Sequence, residues 1–198
     1  MKKTVLAMAV AIASLNSAYA QAPQNVEASA KQLRYTIGMG FTHGGDKLAE
    51  TSFTDGRSET IRAGGLVAFV AGADYRFNKR FSMQGNVGFH VDNSTAENGD
   101  VHFRRYPIEL LGYFHPSQNW RIGGGVRFVN AVRAKASGAA GNYNIKFDNA
   151  IGEVIEAEYM VGYTASMKVR LVREKYKLSD YRSEIDGNHV GIFGNFYF

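Results

Sequence analysis

Three histidine neighbourhoods bring together the residue types that hydrolysis or metal binding requires. His115-Pro116-Ser117 is the only His-x-Ser spacing in the chain. A histidine beside a serine can take the hydroxyl proton and so activate the oxygen as a nucleophile, given a third group to orient it. The next acidic residues, Asp148 and Glu153, lie far downstream, and Pro116 and Asn119 are ordinary turn residues. The segment therefore reads as a tight turn. His90 with Asp92, and His189 with Glu184 or Asp186, offer two His–carboxylate pairs. A base without a nucleophile or oxyanion donors is not an active site, and a satisfied interior histidine is the simpler reading. No His-Glu-x-x-His occurs. The absence of cysteine removes disulfides, thiolate ligands and a cysteine nucleophile. Gly123-Gly124-Gly125 lacks the Lys-Ser/Thr of a phosphate loop and lies in an alternating segment, where glycine serves close packing. No catalytic, metal or cofactor residue is assigned, and no cofactor is expected.

The remaining chemistry is ionic. Arg105, Glu109, Arg121, Arg127, Glu156, Glu158, Arg170 and Glu174 form an expected interior charge network, because their positions share a parity with other polar residues along segments of alternating character. Leu33, Tyr35, Ile37, Met39 and Phe41 are apolar, while the residues between them are small or polar. The pattern returns through Val67–Phe77, Phe81–Val91, Tyr106–Phe114, Trp120–Phe128, Ile155–Tyr163 and Val190–Phe198. A period of two puts each set on one face of a β-strand, and helical periodicity is absent. Long polar connections near 43–60, 92–102, 133–152 and 178–188 alternate with short turns near 78–80, 115–119 and 165–168. Four long and three short connections join eight strands.

Length and composition narrow the class. The 198 residues suit one domain of ordinary size. Aromatic content of 13% and hydrophobic content of 45% argue against disorder. Met1-Lys2-Lys3, an apolar run from Val5 to Leu15 and small Ala18 and Ala20 form the pattern of a cleaved export signal over 1–20. The apolar run is too short to span a bilayer as a helix. Removing Lys2 and Lys3 lowers the formal charge from +5 to +3, which is no footprint for nucleic acid. Residues 21–32 read as a short periplasmic tail and 33–198 as the folded domain.

Which face is greasy decides between a soluble β-protein and a membrane barrel. A soluble barrel turns its apolar face inward. Here the other face carries Arg34, Asp74, Arg76, Gln84, Asn86, His90, His189 and Asn195 besides the network. Such charges are tolerated in an interior only when they pair. Gly38, Gly40, Gly88, Gly123 and Gly125 are expected to make room for the long Arg and Glu side chains. Tyr35, Tyr75, Phe77, Phe81, Phe114, Trp120, Tyr163 and Phe198 collect beside short turns or a chain end, as an interfacial girdle does. The seventh strand is discordant. If Val169 and Leu171 face outward, Arg173 and Lys175 follow them, so either a bulge before Tyr176 switches register or the cations reach outer-leaflet phosphates.

The export signal, eight alternating strands, long–short loop rhythm and terminal Phe196-Tyr197-Phe198 resemble the small outer-membrane barrels of the OmpA membrane domain, OmpX and opacity-protein kind. The resemblance implies an all-β, eight-stranded antiparallel up-and-down transmembrane barrel in the Gram-negative outer membrane, acting as a monomer. It also implies Phe198 and Phe196 as an assembly signal read by the outer-membrane assembly machinery. Outer-membrane lipid and lipopolysaccharide are the expected surroundings, with a host or surface ligand on the external loops. The function expected is structural or surface-interacting and non-enzymatic. Two alternatives stand beside it: a lipid-modifying hydrolase resembling lipid A deacylases through His115 and Ser117, and a narrow ion-conducting pore lined by the Arg/Glu set.

Overall fold

A computed structural model describes residues 32–52, 58–96, 99–138, 142–178 and 184–198. The expected export signal and nearly all of the tail lie outside the described residues, as do Asp55, Arg57, Asp180, Tyr181 and Arg182 of the expected loops.

Among the described residues thirteen strands follow one another: β1 (Leu33–Gly44), β2 (Lys47–Ser52), β3 (Ser58–Arg62), β4 (Leu66–Arg76), β5 (Phe81–Ala96), β6 (Gly99–Phe114), β7 (Trp120–Gly138), β8 (Tyr143–Lys146), β9 (Ala150–Val161), β10 (Ala165–Arg173), β11 (Lys175–Lys177), β12 (Glu184–Asp186) and β13 (His189–Tyr197). Eight of them close a ring, pairing antiparallel in the order β6-β5-β4-β1-β13-β10-β9-β7, with β6 and β7 joining the ends. Closure pairs every edge, which lets a sheet lie in hydrocarbon with its backbone groups satisfied. The other five strands belong to the external connections: hairpin β2–β3, hairpin β11–β12, and β8 on the upper part of β7.

The alternation is followed residue by residue. Strand β9 reads buried and exposed in strict turn from Ala150 to Val161, and β13 does the same from His189 to Tyr197. The exposed members are the apolar ones: Ile37, Phe69, Val87, Ile108, Ile122, Ile155, Val169 and Ile192 all face outward. The greasy face thus points to lipid and the charged face to the lumen.

One expectation about connections is corrected, and one open alternative is decided. The third short turn is 162–164, closed by Gly162 at φ 72°, so Lys168 lies inside β10 and faces the lumen. No bulge interrupts the seventh membrane strand. Arg173, Lys175 and Lys177 stay exposed while Val172, Glu174 and Tyr176 stay buried, so the cations continue the outer face above the apolar belt. Within the eight-strand ring the register shift lies between β6 and β7, where Arg104 pairs with Arg133 but Tyr106 pairs with Asn130. One extra residue on β7 is accommodated at Ala131, whose φ is 51°.

Above that bulge the polarity of the two faces is reversed. The segments 92–102 and 133–152, read from sequence as polar loops, are largely strand. They turn Val101, Ala134, Ala136, Phe147 and Ala150 inward, beside Phe103 and Val132 at their margins, against Ile61, Ala63 and Tyr176. Phe103 meets Phe147 and Tyr176 edge-on, each at 5.8 Å between ring centroids. In the membrane, apolar residues gain by facing lipid. In water outside it they gain by facing one another, at about 25 cal/mol per Å² removed from solvent. An apolar cap therefore sits over a polar lumen on the same strands.

Candidate functional site

The lumen contains one continuous chain of alternating charge. Near the periplasmic end, Arg34 meets Asp74 at 2.8 Å, and Asp74 meets Arg121 at 2.8 Å. Arg121 meets Glu158 at 2.8 Å, and Lys168 bridges Glu158 at 3.4 Å to Glu156 at 2.8 Å. Arg170 joins Glu156 at 3.2 Å to Glu109 at 2.8 Å. Arg127 then joins Glu109 at 2.6 Å to Glu174 at 2.8 Å, and Arg105 ends the chain 3.9 Å from Glu174. All eight residues of the expected network belong to it, with Arg34, Asp74 and Lys168.

Strand register explains half of these contacts. Arg34 is directly opposite Asp74, Glu109 opposite Arg127, Arg121 opposite Glu158, Lys168 opposite Glu158, and Arg170 opposite Glu156. The contacts Arg121–Asp74, Arg170–Glu109 and Arg127–Glu174 cross the lumen between strands that are not neighbours, and only ring closure makes them. Arg121 is the most heavily engaged. Its Nε donates to Glu158, Nη1 to Asp74 and Nη2 to Gln84 and Tyr197, while its guanidinium lies 3.8 Å over the Tyr113 ring. Tyr113 also donates to Glu156, and Ser166 and Tyr197 donate to Glu158.

Tyr113, Ser166, Lys168, Tyr176 and Tyr197 are members that the sequence reading missed. Parity was the available signal. Tyr113 and Tyr197 share the lumen parity of their strands, but an aromatic in such a chain suggests the interface first.

The glycines make room for different partners than expected. A Cβ at Gly123 would fall 2.4 Å from the Tyr113 ring, at Gly38 2.1 Å from Asn195 Oδ1, and at Gly40 2.5 Å from the Phe193 ring. Arg and Glu are served indirectly, through the tyrosine on which Arg121 stacks.

The histidine pairs read from sequence do not form. His90 Nε2 lies 2.8 Å from Thr42 Oγ1 and 2.9 Å from the Gly65 carbonyl, whereas Asp92 accepts the Arg62 backbone N–H at 2.9 Å. His189 Nδ1 is 2.7 Å from the Gly187 carbonyl and 3.7 Å from Glu174, not paired with Glu184 or Asp186. The two imidazoles meet edge-on with centroids 5.1 Å apart. His115 is buried in the turn after β6. Arg76 donates to its Nδ1 at 2.9 Å and its Nε2 lies 2.9 Å from Ser82 Oγ. Burial, and then the neighbouring Arg76 charge, hold the imidazole down to about 4. Ser117 Oγ accepts the Trp120 backbone N–H at 3.2 Å, so the His-x-Ser pair is divided between two structural duties. Among the described residues no His/Asp/Glu group is arranged to hold a metal.

The expected girdle residues are all exposed near the periplasmic end, and rings meet across strands. Tyr35 and Phe198 lie 6.4 Å apart, Phe81 and Phe114 5.6 Å, and Trp120 5.0 Å from Tyr159, while Tyr75 and Phe77 meet at 5.2 Å along the end of β4. Phe196 and Phe198 face outward, and the backbone of Phe198 exchanges hydrogen bonds with Tyr35 at 2.9 and 3.0 Å, closing the ring.

An outward-greasy, inward-charged ring of eight strands defines an outer-membrane barrel. The model of the outer membrane protein beta-barrel domain matches residues 8–198, and the chain belongs to that family and resides in the outer membrane. Among solved structures it is similar to Ail, the attachment invasion locus protein of Yersinia pestis. The two share 14% identity at a TM-score of 0.53, over 83% of this chain and 96% of that one. Neisserial surface protein A is likewise similar, with 11% identity and a TM-score of 0.53 over 85% and 98% of the two chains. Ail has also been solved with the heparin analogue sucrose octasulfate, at 14% identity and the same TM-score over 84% and 98%. These likenesses carry the fold. No curated sequence matches the chain.

Proposed function

We propose that the protein is a non-enzymatic, non-conducting outer-membrane barrel whose rigid stem displays an external surface for interaction. The observation that carries this reading is the double filling of the interior. The charge chain engages side chains across the lumen, and the apolar cap lies over its outer end. About eight strands enclose a space only wide enough for side chains to fill. Arg105 sits at the junction, 4.9 Å over the Phe103 ring, with Nη1 3.3 Å from Tyr176 Oη. The stem then serves to hold the hairpins β2–β3 and β11–β12 outside the membrane, as the polyanion-bound form of Ail suggests for a related fold. The girdle anchors the periplasmic rim in the headgroup layer, and Phe196 and Phe198 present the terminal strand to the assembly machinery. The 1–20 segment is read as the export signal that brings the chain there.

Planar-bilayer recording tests the reading. The wild-type protein is expected to give no steady conductance. A stable ion-selective current that falls on Glu156→Gln or Arg127→Gln would overturn it in favour of a pore.

A further inference from the structure

The charge chain of the lumen has unequal ends. From Arg34 to Arg105 it joins six cations through five carboxylates, so it begins and ends on an arginine. The Arg34 side chain is 17% exposed and shares its charge with water, whereas Arg105 is fully buried. The carboxylate within reach of Arg105 is already committed. Glu174 gives Oε2 to Arg127 at 2.8 Å and Oε1 to the Tyr176 hydroxyl, and lies 3.9 Å from Arg105.

Local structure leaves the Arg105 guanidinium half-used. Its register partner on β5 is His90, whose Nε2 meets Thr42 and the Gly65 carbonyl and whose Nδ1 lies 3.5 Å from Arg127. On the β7 side the bulge carries the register from Arg104 to Tyr106 and sets no residue opposite Arg105. Nη1 lies 3.3 Å from Tyr176 Oη, but Nε and Nη2 meet no hydrogen-bond acceptor among the described residues. These two N–H groups form one edge of the guanidinium and point in parallel at a single position. Arg121 shows what that edge holds elsewhere in the lumen, with Nε and Nη2 each 2.8 Å from Glu158. Arg76 Nε also lacks an acceptor, but Arg76 is only partly buried, near the periplasmic rim. Asp92, opposite Phe103, accepts the Arg62 backbone N–H and enters no ion pair among the described residues.

We infer that Arg105 holds a small monovalent anion of the halide kind on its Nε–Nη2 edge, beneath the apolar cap. Water at this position would satisfy two donors and leave the charge, and an uncompensated buried charge costs more than an unmade hydrogen bond. A phosphate or sulfate would bring two charges to offset one, and more oxygens than the edge has donors for. A halide brings a single charge and no lone-pair geometry to satisfy. The Phe103 and Tyr176 rings, with centroids 4.9 and 5.9 Å from the guanidinium carbon, flank the site on its capped side. The site lies where stem and cap meet and goes beyond the reading of a filled stem.

The test follows the urea midpoint of the wild type in phosphatidylcholine vesicles by the fluorescence of Trp120, the sole tryptophan, as chloride replaces gluconate at constant ionic strength. The wild-type midpoint is expected to rise with chloride and level off, bromide to reproduce the rise, and Arg105→Gln to respond to neither. No rise in the wild type, or an equal rise in Arg105→Gln, would overturn the proposal, the second by revealing a general salt effect. Asp92→Asn tests the rival countercharge and is expected to keep the chloride-dependent rise. A rise that appears only in Asp92→Asn would assign the neutralisation to Asp92 and overturn the halide site. Should Arg105→Gln not insert, wild-type crystals grown in bromide decide. An anomalous peak within hydrogen-bond distance of Arg105 Nε and Nη2 is the expected result, and no peak at that position overturns the proposal.

Discussion

Glu109 lies between two guanidiniums, 2.6 Å from Arg127 and 2.8 Å from Arg170, and is almost fully buried. Desolvating three charges costs several kcal/mol per ion, and mutual attraction offsets this only while every partner is present. Glu109→Ala is therefore expected to destabilise the barrel by about 3–5 kcal/mol, the usual cost of breaking a buried pair from one side. Urea unfolding in lipid vesicles measures it. A loss below about 1 kcal/mol would show that Glu174 and Glu156 alone hold the two arginines. Individual inward charges were legible because parity along a strand is a local property. Pairing between adjacent strands was latent in the turns that set register. The cross-lumen contacts were hidden, since nothing in a strand states which non-neighbour closure brings opposite it. Lys168 was lost through a local error. Placing the turn at 165–168 rather than at 162–164 assigned the bridge between Glu156 and Glu158 to a turn.

At the scale of elements, the bulge on β7 links the two halves of the molecule. Below it the inward residues are Arg127 and Val129; above it they are Val132, Ala134 and Ala136. The extra residue shifts the parity, and Ala131 takes a left-handed conformation that costs a side-chain-bearing residue about 1–2 kcal/mol. Ala131→Gly is expected to stabilise the protein by about 1 kcal/mol, and Ala131→Val to destabilise it by at least as much, in the same urea titration. A loss with glycine would show that the methyl group packs usefully and that the strain is imaginary. The eight membrane strands were legible because lipid imposes one sorting over their whole length. The strand extensions beyond the membrane alternate equally well, but with the opposite sorting. Val101 and Phe103 carry the lumen parity of their strand, so outward-facing apolar parity does not pick them out, and Val132 carries the outward parity and is turned inward only by the bulge.

For the whole molecule, the reversal of polarity along one barrel means that its two ends depend on different solvents. The membrane part places apolar side chains against lipid, and its lumen is held by charge pairs. The cap has a core of the soluble kind, centred on Phe103, which is fully buried. Phe103→Ala removes a ring in contact with Phe147, Tyr176 and Arg105, and truncations of this kind cost about 3–5 kcal/mol. That loss is expected to fall on the cap alone, because the pairing of β9, β10 and β13 below it does not pass through this cluster. Hydrogen exchange in vesicles would then show faster exchange at the upper amides of β6 and β7 and at β8. Amides from Trp120 to Phe128 and from Val190 to Tyr197 would keep their protection, and the heat-modifiable gel shift would stay at its wild-type temperature. Equal loss of protection in both halves would mean that cap and stem unfold as one unit, with Arg105, stacked on Phe103 and within reach of Glu174, as the residue that couples them.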